Sequence, residues 1–566
     1  MRNKEVAQLL QKIAELLAFK EENIFKIRAY EKAAQTIEYL GKDIAEELQS
    51  GNKIAGVGES IAEKIKEYLS QGKITYLEEL KKEIPPGLLE IMDIPGLGPR
   101  RAKLLYEKLG IKNVAELKQA AQQHRLQELE SFGQKLEENI LKGLKLLSQA
   151  QERMLISTAL EIAERIIAEL KKTGVKKISE AGSLRRRKET IRDIDILVAS
   201  NSPEPVMKKF CSLGQVQARG ETKASILTAE NIQVDLRVVK ETEFGSALQY
   251  FTGSKEHNIA LRKLAITRNK KISEYGLFDQ RGKKIAGESE EEIYHHLGLD
   301  YIPPELREDQ GEIDLAKKHC LPTLLNLSDI QGDLHIHSNY SDGHMTIAEI
   351  VHQARQLGYR WVSIADHSQS LKVARGLSPE QLNKKIQEIK NLRAQQPEIE
   401  ILIGSEVDIL SDGKLDYPEE ILKQLDVVIA AVHSNFKQDE NTMTERIIRA
   451  MKNPYVHIIS HPTGRLLNRR SPYAVNIDRI IEAAADYKVA LEINAFPERL
   501  DLPDIWCRRA KEKNVLLAIG SDAHFLSQME YLRYGVFVAR RGWLSKKDLV
   551  NTRSVSDLKK LLTRRR

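Results

Sequence analysis

The 566-residue chain is 41% apolar, with a net charge of +7 and an isoelectric point near 8.9. No apolar run is long enough to span a bilayer, and the three cysteines, Cys211, Cys320 and Cys507, stand far apart in no metal-like spacing. A membrane protein and a disulfide-stapled secreted fold are therefore excluded, and roughly three to five soluble domains are expected. The N-terminal stretch is charged and amphipathic, where a signal peptide has an uncharged core, so a reducing cytoplasm is the expected location. The small basic excess allows a polyanionic partner, with local clusters at Arg100-Arg101, Arg185-Arg186-Arg187-Lys188 and Arg564-Arg565-Arg566.

Residues 1–150 read as helices separated by glycine-containing turns, in two expected domains, 1–80 and 81–150. They contain an internal repeat. Ile54-Ala55-Gly56-Val57-Gly58-Glu59-Ser60-Ile61-Ala62 matches Ile94-Pro95-Gly96-Leu97-Gly98-Pro99-Arg100-Arg101-Ala102. Both follow the helix-hairpin-helix pattern. Gly56, Gly58, Gly96 and Gly98 permit a tight hairpin whose free N–H groups face a DNA phosphate, together with the next helix's N-terminus. Phosphate contacts carry no base information, so sequence-insensitive binding is expected. Ser131-Phe132-Gly133-Gln134 lacks the second glycine and is not counted as a third copy.

Residues 151–240 open on a long helix and continue as strands. A short apolar strand over 177–181 runs into Ala181-Gly182-Ser183, then the basic run, then a strand over 191–199. On that strand Asp193 and Asp195 point to one face while Ile194 and Ile196 point to the other. Two carboxylates held so close repel and need a cation between them, and oxygen ligands select a hard ion such as Mg²⁺ or Mn²⁺. Asp235 offers a third carboxylate from a strand whose Val234, Leu236 and Val238 face a core. Gly182 lets the backbone approach a phosphate, and Ser183 adds a hydroxyl donor. The set reads as a metal-triphosphate site.

This ordered set resembles the palm of a family X DNA polymerase, in the nucleotidyltransferase superfamily. Tyr250-Phe251-Thr252-Gly253-Ser254 resembles that family's sugar-binding segment, and His257-Asn258 and Arg262 fall where the family contacts the incoming nucleotide and template. The resemblance implies that Asp193, Asp195 and Asp235 are catalytic and hold two metal ions. It also implies that Ser183 and Arg186 hold the β- and γ-phosphates beside Gly182, and that Tyr250, Phe251, Gly253, Ser254 and Asn258 bind the nucleotide. Residues 241–315 would be the thumb or fingers equivalent, and 316–330 a linker. Residues 1–80 resemble the small N-terminal domain that holds the 5′ side of a gap, with Lys26 and Lys64 on its phosphate. In relatives with lyase activity the lysine matching Lys64 attacks C1′ of an abasic sugar. Ser60 stands where such relatives carry another phosphate-binding lysine, so a phosphate contact from Lys64 is the reading kept.

Residues 331–566 alternate apolar strands with helices, as in a barrel of βα units. Polar ligand types recur at the strand ends: His335 and His337 on one strand face, then Asp342, His367, Glu406, His433, His461, Asp522 and His524. Imidazoles mixed with carboxylates suit Mn²⁺ or Zn²⁺ and can hold more than one ion. The set resembles the polymerase and histidinol phosphatase (PHP) domain, a distorted TIM-like barrel. Carried over, the pattern gives a first metal to His335, His337, Glu406 and Asp522, and a second to Glu406, His433 and His461. A third would go to Asp342, His367 and His524. His457, His352 and His319 match nothing in it.

The whole chain is therefore similar to bacterial family X DNA polymerases with a C-terminal PHP domain. The expected fold is multidomain, α and α/β, with helical helix-hairpin-helix domains, a nucleotidyltransferase palm and a TIM-like PHP barrel. The resemblance implies filling of short gaps in base excision repair by a monomer acting on gapped or primed DNA with a 5′-phosphate and dNTPs. It implies a 3′→5′ exonuclease in the barrel and permits cleavage beside abasic sites. A template-independent nucleotidyltransferase and a DNA-tethered PHP phosphoesterase are the alternatives.

Overall fold

The computed structural model describes residues 3–38, 44–49, 56–92, 97–129 and 153–563, with positions 54, 94, 132, 133, 136, 137, 140, 141 and 144 between them. Gly96 lies outside the described residues. Contacts divide the chain into two units near Gln151 and Glu152.

The first unit is helical. In the Asn3–Phe19 helix Val6, Leu10, Ile13 and Leu17 recur at three and four residues and are buried, the spacing of one helix face. Buried residues from Val6 to Leu144 form a single cluster, so segments 1–80 and 81–150 share a core. The sequence repeat returns as a repeat of hydrogen bonds. Val57 N–H donates to Ile54 and Ala62 N–H to Gly58, at 3.1 and 2.9 Å; Leu97 donates to Ile94 and Ala102 to Gly98, at 2.9 and 3.0 Å. The same register recurs a third time: Phe132 donates to Leu129 at 2.8 Å and Glu137 to Gly133 at 3.2 Å. The segment set aside for want of a glycine thus makes the hairpin's bonds, because they need only the carbonyl of Gly133.

The second unit begins with the palm. The Ile156–Lys171 helix packs on a five-stranded sheet of β1 (Lys177–Glu180), β2 (Ile194–Ala199), β3 (Gln215–Arg219), β4 (Lys223–Leu227) and β5 (Gln233–Val239), in the order β1-β2-β5-β4-β3. Only β2 and β5 pair in parallel. Next come the helices Phe244–Thr252 and Lys255–Thr267, a three-stranded sheet and the helix Glu290–His296. The segment expected as a linker lies on the barrel, where Leu325 N–H donates to the Leu544 carbonyl at 3.0 Å.

The barrel has seven parallel strands in sequence order: β6 (Gly332–Ile336), β7 (Trp361–Ile364), β8 (Glu400–Asp408), β9 (Val427–Ala431), β10 (Ile458–Ile459), β11 (Ala490–Asn494) and β12 (Leu517–Gly520). A TIM barrel has eight. The ring is nearly closed where Ile336 bridges Ala523, with His337 N–H donating to the Ala523 carbonyl at 2.9 Å. Six of the strands are buried throughout, as in a parallel sheet covered on both faces, and β8 is buried apart from its first residue. Palm and barrel share one apolar cluster. They are also joined by ion pairs, Glu189 with Arg465 at 2.5 Å and Glu308, beyond the palm, with Arg541 at 3.1 Å.

Two candidate metal centres

In the palm, Asp195 on β2 lies directly across from Asp235 on the parallel strand β5, and Ser225 on β4 lies across from Asp235 on its other side. Ser225 donates to one oxygen of Asp235, and Gln233 donates to the other at 3.0 Å. Asp193 precedes β2 and pairs with Arg192 at 3.2 Å. Burial first, then the charges of Asp193 and Asp235, push the Asp195 carboxyl up to about 7. That is the mark of acids assembled without a cation, and a hard divalent ion fits it. Gly182 sits at φ +59°, and a Cβ there would meet an Asp195 oxygen at 2.2 Å. Glycine at 182 therefore makes room for the Asp195 carboxylate itself. A cavity beside the acids is lined also by Lys223, Arg237 and Phe251, with the Arg237 guanidinium 5.1 Å from the Phe251 ring.

The basic run is not a solvated face. Arg185 clasps Glu290 through two nitrogens, at 2.9 and 2.6 Å, and Glu290 is also paired with Arg307. Burial would raise the Glu290 carboxyl, yet the two guanidiniums hold it at about 2. Arg186 donates to Glu308 at 3.1 Å and to the Thr252 carbonyl at 2.5 Å. Arg187 pairs with Glu180, and Lys188 with Glu308. Ser183 lies in the short helix Gly182–Arg185 beside the acids.

Tyr250 borders a second cavity with Asn258 and Arg262, whose guanidinium lies 5.3 Å from the Tyr250 ring. Asn258 donates to the Tyr250 carbonyl and accepts from Gln249, both at 2.8 Å. Gly253, at φ +70°, faces Arg186. Ser254 is buried and caps the next helix by accepting from His257 N–H at 3.2 Å. His257 is enclosed rather than facing a nucleotide, held between Glu312 at 2.7 Å and the Tyr294 hydroxyl at 3.0 Å.

In the helical unit the Lys26 and Lys64 ammoniums each lie 5.3 Å from the Tyr76 ring, and Lys64 donates to the Ser60 hydroxyl at 3.0 Å. Gly56 takes φ +85°. At Gly58 and Gly98 an added Cβ would meet nothing within 4 Å. The protein itself does not demand glycine there, and an approaching backbone would.

In the barrel the candidate ligands converge on Glu406. One of its oxygens faces His335, His337 and His367 at 3.4, 3.7 and 2.9 Å; the other faces His433 and His461 at 3.5 and 3.1 Å. Three groups bring ligand atoms within 4.8 Å of one another: His337, Asp342, His367 and His524; His335, His337 and Asp522; and His367, Glu406 and His433. The residues are those of the sequence reading, and the ion-pair distances also bring together His335 and His337 with Glu406 and Asp522, Glu406 with His433 and His461, and Asp342 with His367 and His524. His337 stacks between His367 and His524, with ring centroids at 4.4 and 4.3 Å, and so serves two groups. His461 stays at the Glu406 oxygen outside the three groups.

Buried ring nitrogens of His335, His337, His367 and His461 have no hydrogen-bond partner among the described residues. Burial disfavours charge on the His335 and His367 rings, but Glu492, Glu406 and Asp522 raise the first well above its usual value, and Glu406 and Asp342 raise the second to about 10. Burial and the neighbouring His524 and His367 lower His337 to about 4. Buried carboxylates packed against clustered imidazoles, with ring nitrogens left over, fit a site built for cations, which would take the place of protons on the rings.

Sequence reasoning missed the residues that hold the ligands. Glu492 accepts from the His335 ring at 2.6 Å, from Ser460 at 2.7 Å and from His461 N–H at 2.8 Å. Asp408 holds His433 at 2.5 Å, and Asn494 donates to Asp522 at 3.0 Å. Asp366 accepts from Ser338, Ser341 and the fully buried Lys385. The polar alternation in Ala490-Leu491-Glu492-Ile493-Asn494 is the signal that could have revealed the first.

Fold and sites define an enzyme class: a nucleotidyltransferase-like palm joined to a barrel whose clustered His, Asp and Glu side chains could hold metal. The chain matches family models for a helix-hairpin-helix domain at residues 1–74, a SAM-like helix-hairpin-helix tandem at 88–146, a DNA polymerase beta thumb at 247–308 and a PHP domain at 333–496. Asp522 and His524 lie beyond the last span, yet the structure brings them into the centre. The chain is 40% identical over 571 residues, covering 100% of both proteins, to DNA polymerase/3′-5′ exonuclease PolX of Bacillus subtilis (strain 168). Over the barrel it is 33% identical to a probable phosphatase of Thermoanaerobacter sp. (strain X514), covering 41% of this chain and 93% of that protein. A probable phosphatase of Caldanaerobacter subterraneus subsp. tengcongensis is 34% identical over 34% of this chain and 75% of that protein. The chain belongs to the bacterial family X DNA polymerases that carry a PHP domain.

Proposed function

We propose that this protein is a DNA-directed DNA polymerase that fills short gaps, with a 3′→5′ exonuclease in its barrel. The observation that carries the polymerase reading is the register of Asp195 against Asp235, with Asp193 two residues before. Asp193, Asp195 and Asp235 would hold two Mg²⁺ or Mn²⁺ ions and the barrel ligands up to three Mn²⁺ or Zn²⁺ ions, which when bound supply Lewis-acid activation and neutralise phosphate charge. The chain's own residues do the rest. Ser225 and Gln233 orient Asp235, and Gly182 leaves space for Asp195. Phe251 and Arg237 border the nucleotide cavity, Ser183 would meet the triphosphate, and Arg186 would have to turn from Glu308 and the Thr252 carbonyl to join it. The hairpins at Gly58 and Gly98 grip the duplex backbone, and Lys26 and Lys64 supply a 5′-phosphate pocket.

Glu406 presents one oxygen to each of two histidine sets and would help hold the metal of a phosphodiester-cleaving centre. Repair in the cytoplasm, by a monomer, is part of this reading. Primer extension on a gapped duplex against single-stranded DNA tests it. Gap filling that needs a template and is faster with a 5′-phosphate is the expected result; equal extension of single strands would favour a template-independent transferase.

A further inference from the structure

Among the described residues the candidate ligands of the barrel centre are unequally exposed. His335, Glu406 and His337 are sealed, whereas the side chains of Asp342, His524 and His433 keep 32%, 24% and 13% of their exposure. Substrate must enter past Asp342 and His524. Each of these is followed at once by an aromatic ring. His344 comes two residues after Asp342, and Phe525 directly after His524. The two rings stack on each other, centroids 4.5 Å apart and planes at 21°, and His344 N–H donates to the His524 carbonyl at 2.9 Å.

Next to the same opening stands the loop that follows His367. Its base is closed by Leu377 N–H donating to the His367 carbonyl at 2.9 Å. Its stem is pinned by Ser370, whose hydroxyl donates to Asp408 at 2.7 Å and whose N–H donates to Asp416 at 2.6 Å. This anchoring holds Lys372, Val373 and Arg375 out in solvent, with Val373 93% exposed. The loop starts at His367, whose ring lies 3.5 Å from the Asp342 carboxylate at the same opening. Among the described residues these three side chains are all exposed, although the loop that carries them is tied to the candidate ligand His367 and to Asp408, which holds His433.

We infer that the His344–Phe525 stack and the Lys372-Val373-Arg375 edge form the binding site for the single-stranded 3′ end of DNA, deepening the nuclease reading on which it rests. A terminal base finds a π face on the ring pair, which every base can use. Lys372 and Arg375 take the two phosphates that follow. Val373 wedges against the next base, so that a frayed or mismatched 3′ end is admitted ahead of a paired one.

The test compares kcat/KM with Mn²⁺ on a labelled single-stranded oligonucleotide and on bis-p-nitrophenyl phosphate, a phosphodiester too small to reach the edge. Phe525→Ala and the exposed-site variant Val373→Ser are measured beside wild type. The inference expects DNA cleavage to fall at least fivefold further than reporter cleavage in Phe525→Ala. Val373→Ser should cut the preference for mismatched over paired 3′ ends at least threefold. Lys372→Ala with Arg375→Ala should flatten the salt dependence on DNA by about 1.4 in log–log slope, two contacts at ~0.7 each. Equal losses on both substrates, or undiminished DNA cleavage and an unchanged salt slope, would overturn it. Wild type cleaving neither substrate would instead overturn the nuclease reading.

Discussion

Asp195→Asn should make the metal-free protein more stable while ending nucleotide incorporation. In the folded protein burial and the charges of Asp193 and Asp235 lift the Asp195 carboxyl from 3.8 to about 7. Each such unit is worth about 1.36 kcal/mol, so holding the carboxylate ionised costs about 4 kcal/mol at pH 8. The sign follows from proton counting. Between pH 4 and 7 the folded state binds the proton that the unfolded state has lost, so the stability contributed by this group falls as pH rises through that window. Asparagine removes the titration. The variant should therefore match wild type near pH 4, in this group's contribution, and exceed it by a few kcal/mol at pH 8. Urea denaturation in EDTA at several pH values measures the difference, and saturating Mg²⁺ should shrink it, because the ion binds only the wild-type charge well. A variant less stable than wild type at pH 8, or a difference that ignores pH, would refute the like-charge account of the palm.

Three further outcomes follow from the geometry. Glu492→Gln leaves the His335 ring without its carboxylate, and metal affinity or nuclease activity in the barrel should drop about 10–100-fold with incorporation retained, read by metal titration and both assays. Lys385→Met strands the buried Asp366 charge and two carbonyls, those of Ile364 and Gly404, and should cost about 3–5 kcal/mol in chemical denaturation. Gly182→Ala drives a Cβ to 2.2 Å from Asp195 at a positive φ and should abolish extension of a primed template while sparing the nuclease.

The acids of the palm were legible in the sequence, but the strand expected over 191–199 begins only at Ile194, so Asp193 comes from the bend before it while Asp195 alone lies on the strand, across from Asp235. The barrel ligands were legible as residues, each a polar group ending an apolar strand. Their mutual distances were not, since these depend on where a ring points: His337 leans between His367 and His524 as well as toward Asp522. The fate of the basic run was also hidden. Arg185 and Arg186 find Glu290 and Glu308 more than a hundred residues on, and no local pattern announces such partners. His257 stood in a segment that resembled a nucleotide contact, yet Glu312, 55 residues later, encloses it. The sequence suggested a degenerate third hairpin near Gly133 but gave it no weight for want of a second glycine, and the Phe132–Leu129 and Glu137–Gly133 bonds repeat the register of the other two.

The central claim is that two chemistries run on separate centres of one chain, and one experiment addresses it most directly. Asp195→Ala and the double variant His335→Ala with His337→Ala are each given a gapped duplex with dNTPs and, separately, a labelled single strand with Mn²⁺. The account predicts that Asp195→Ala degrades the single strand but fills no gap, and that the double variant fills the gap but leaves the strand intact. Loss of both activities in either variant, or retention of both, would contradict it.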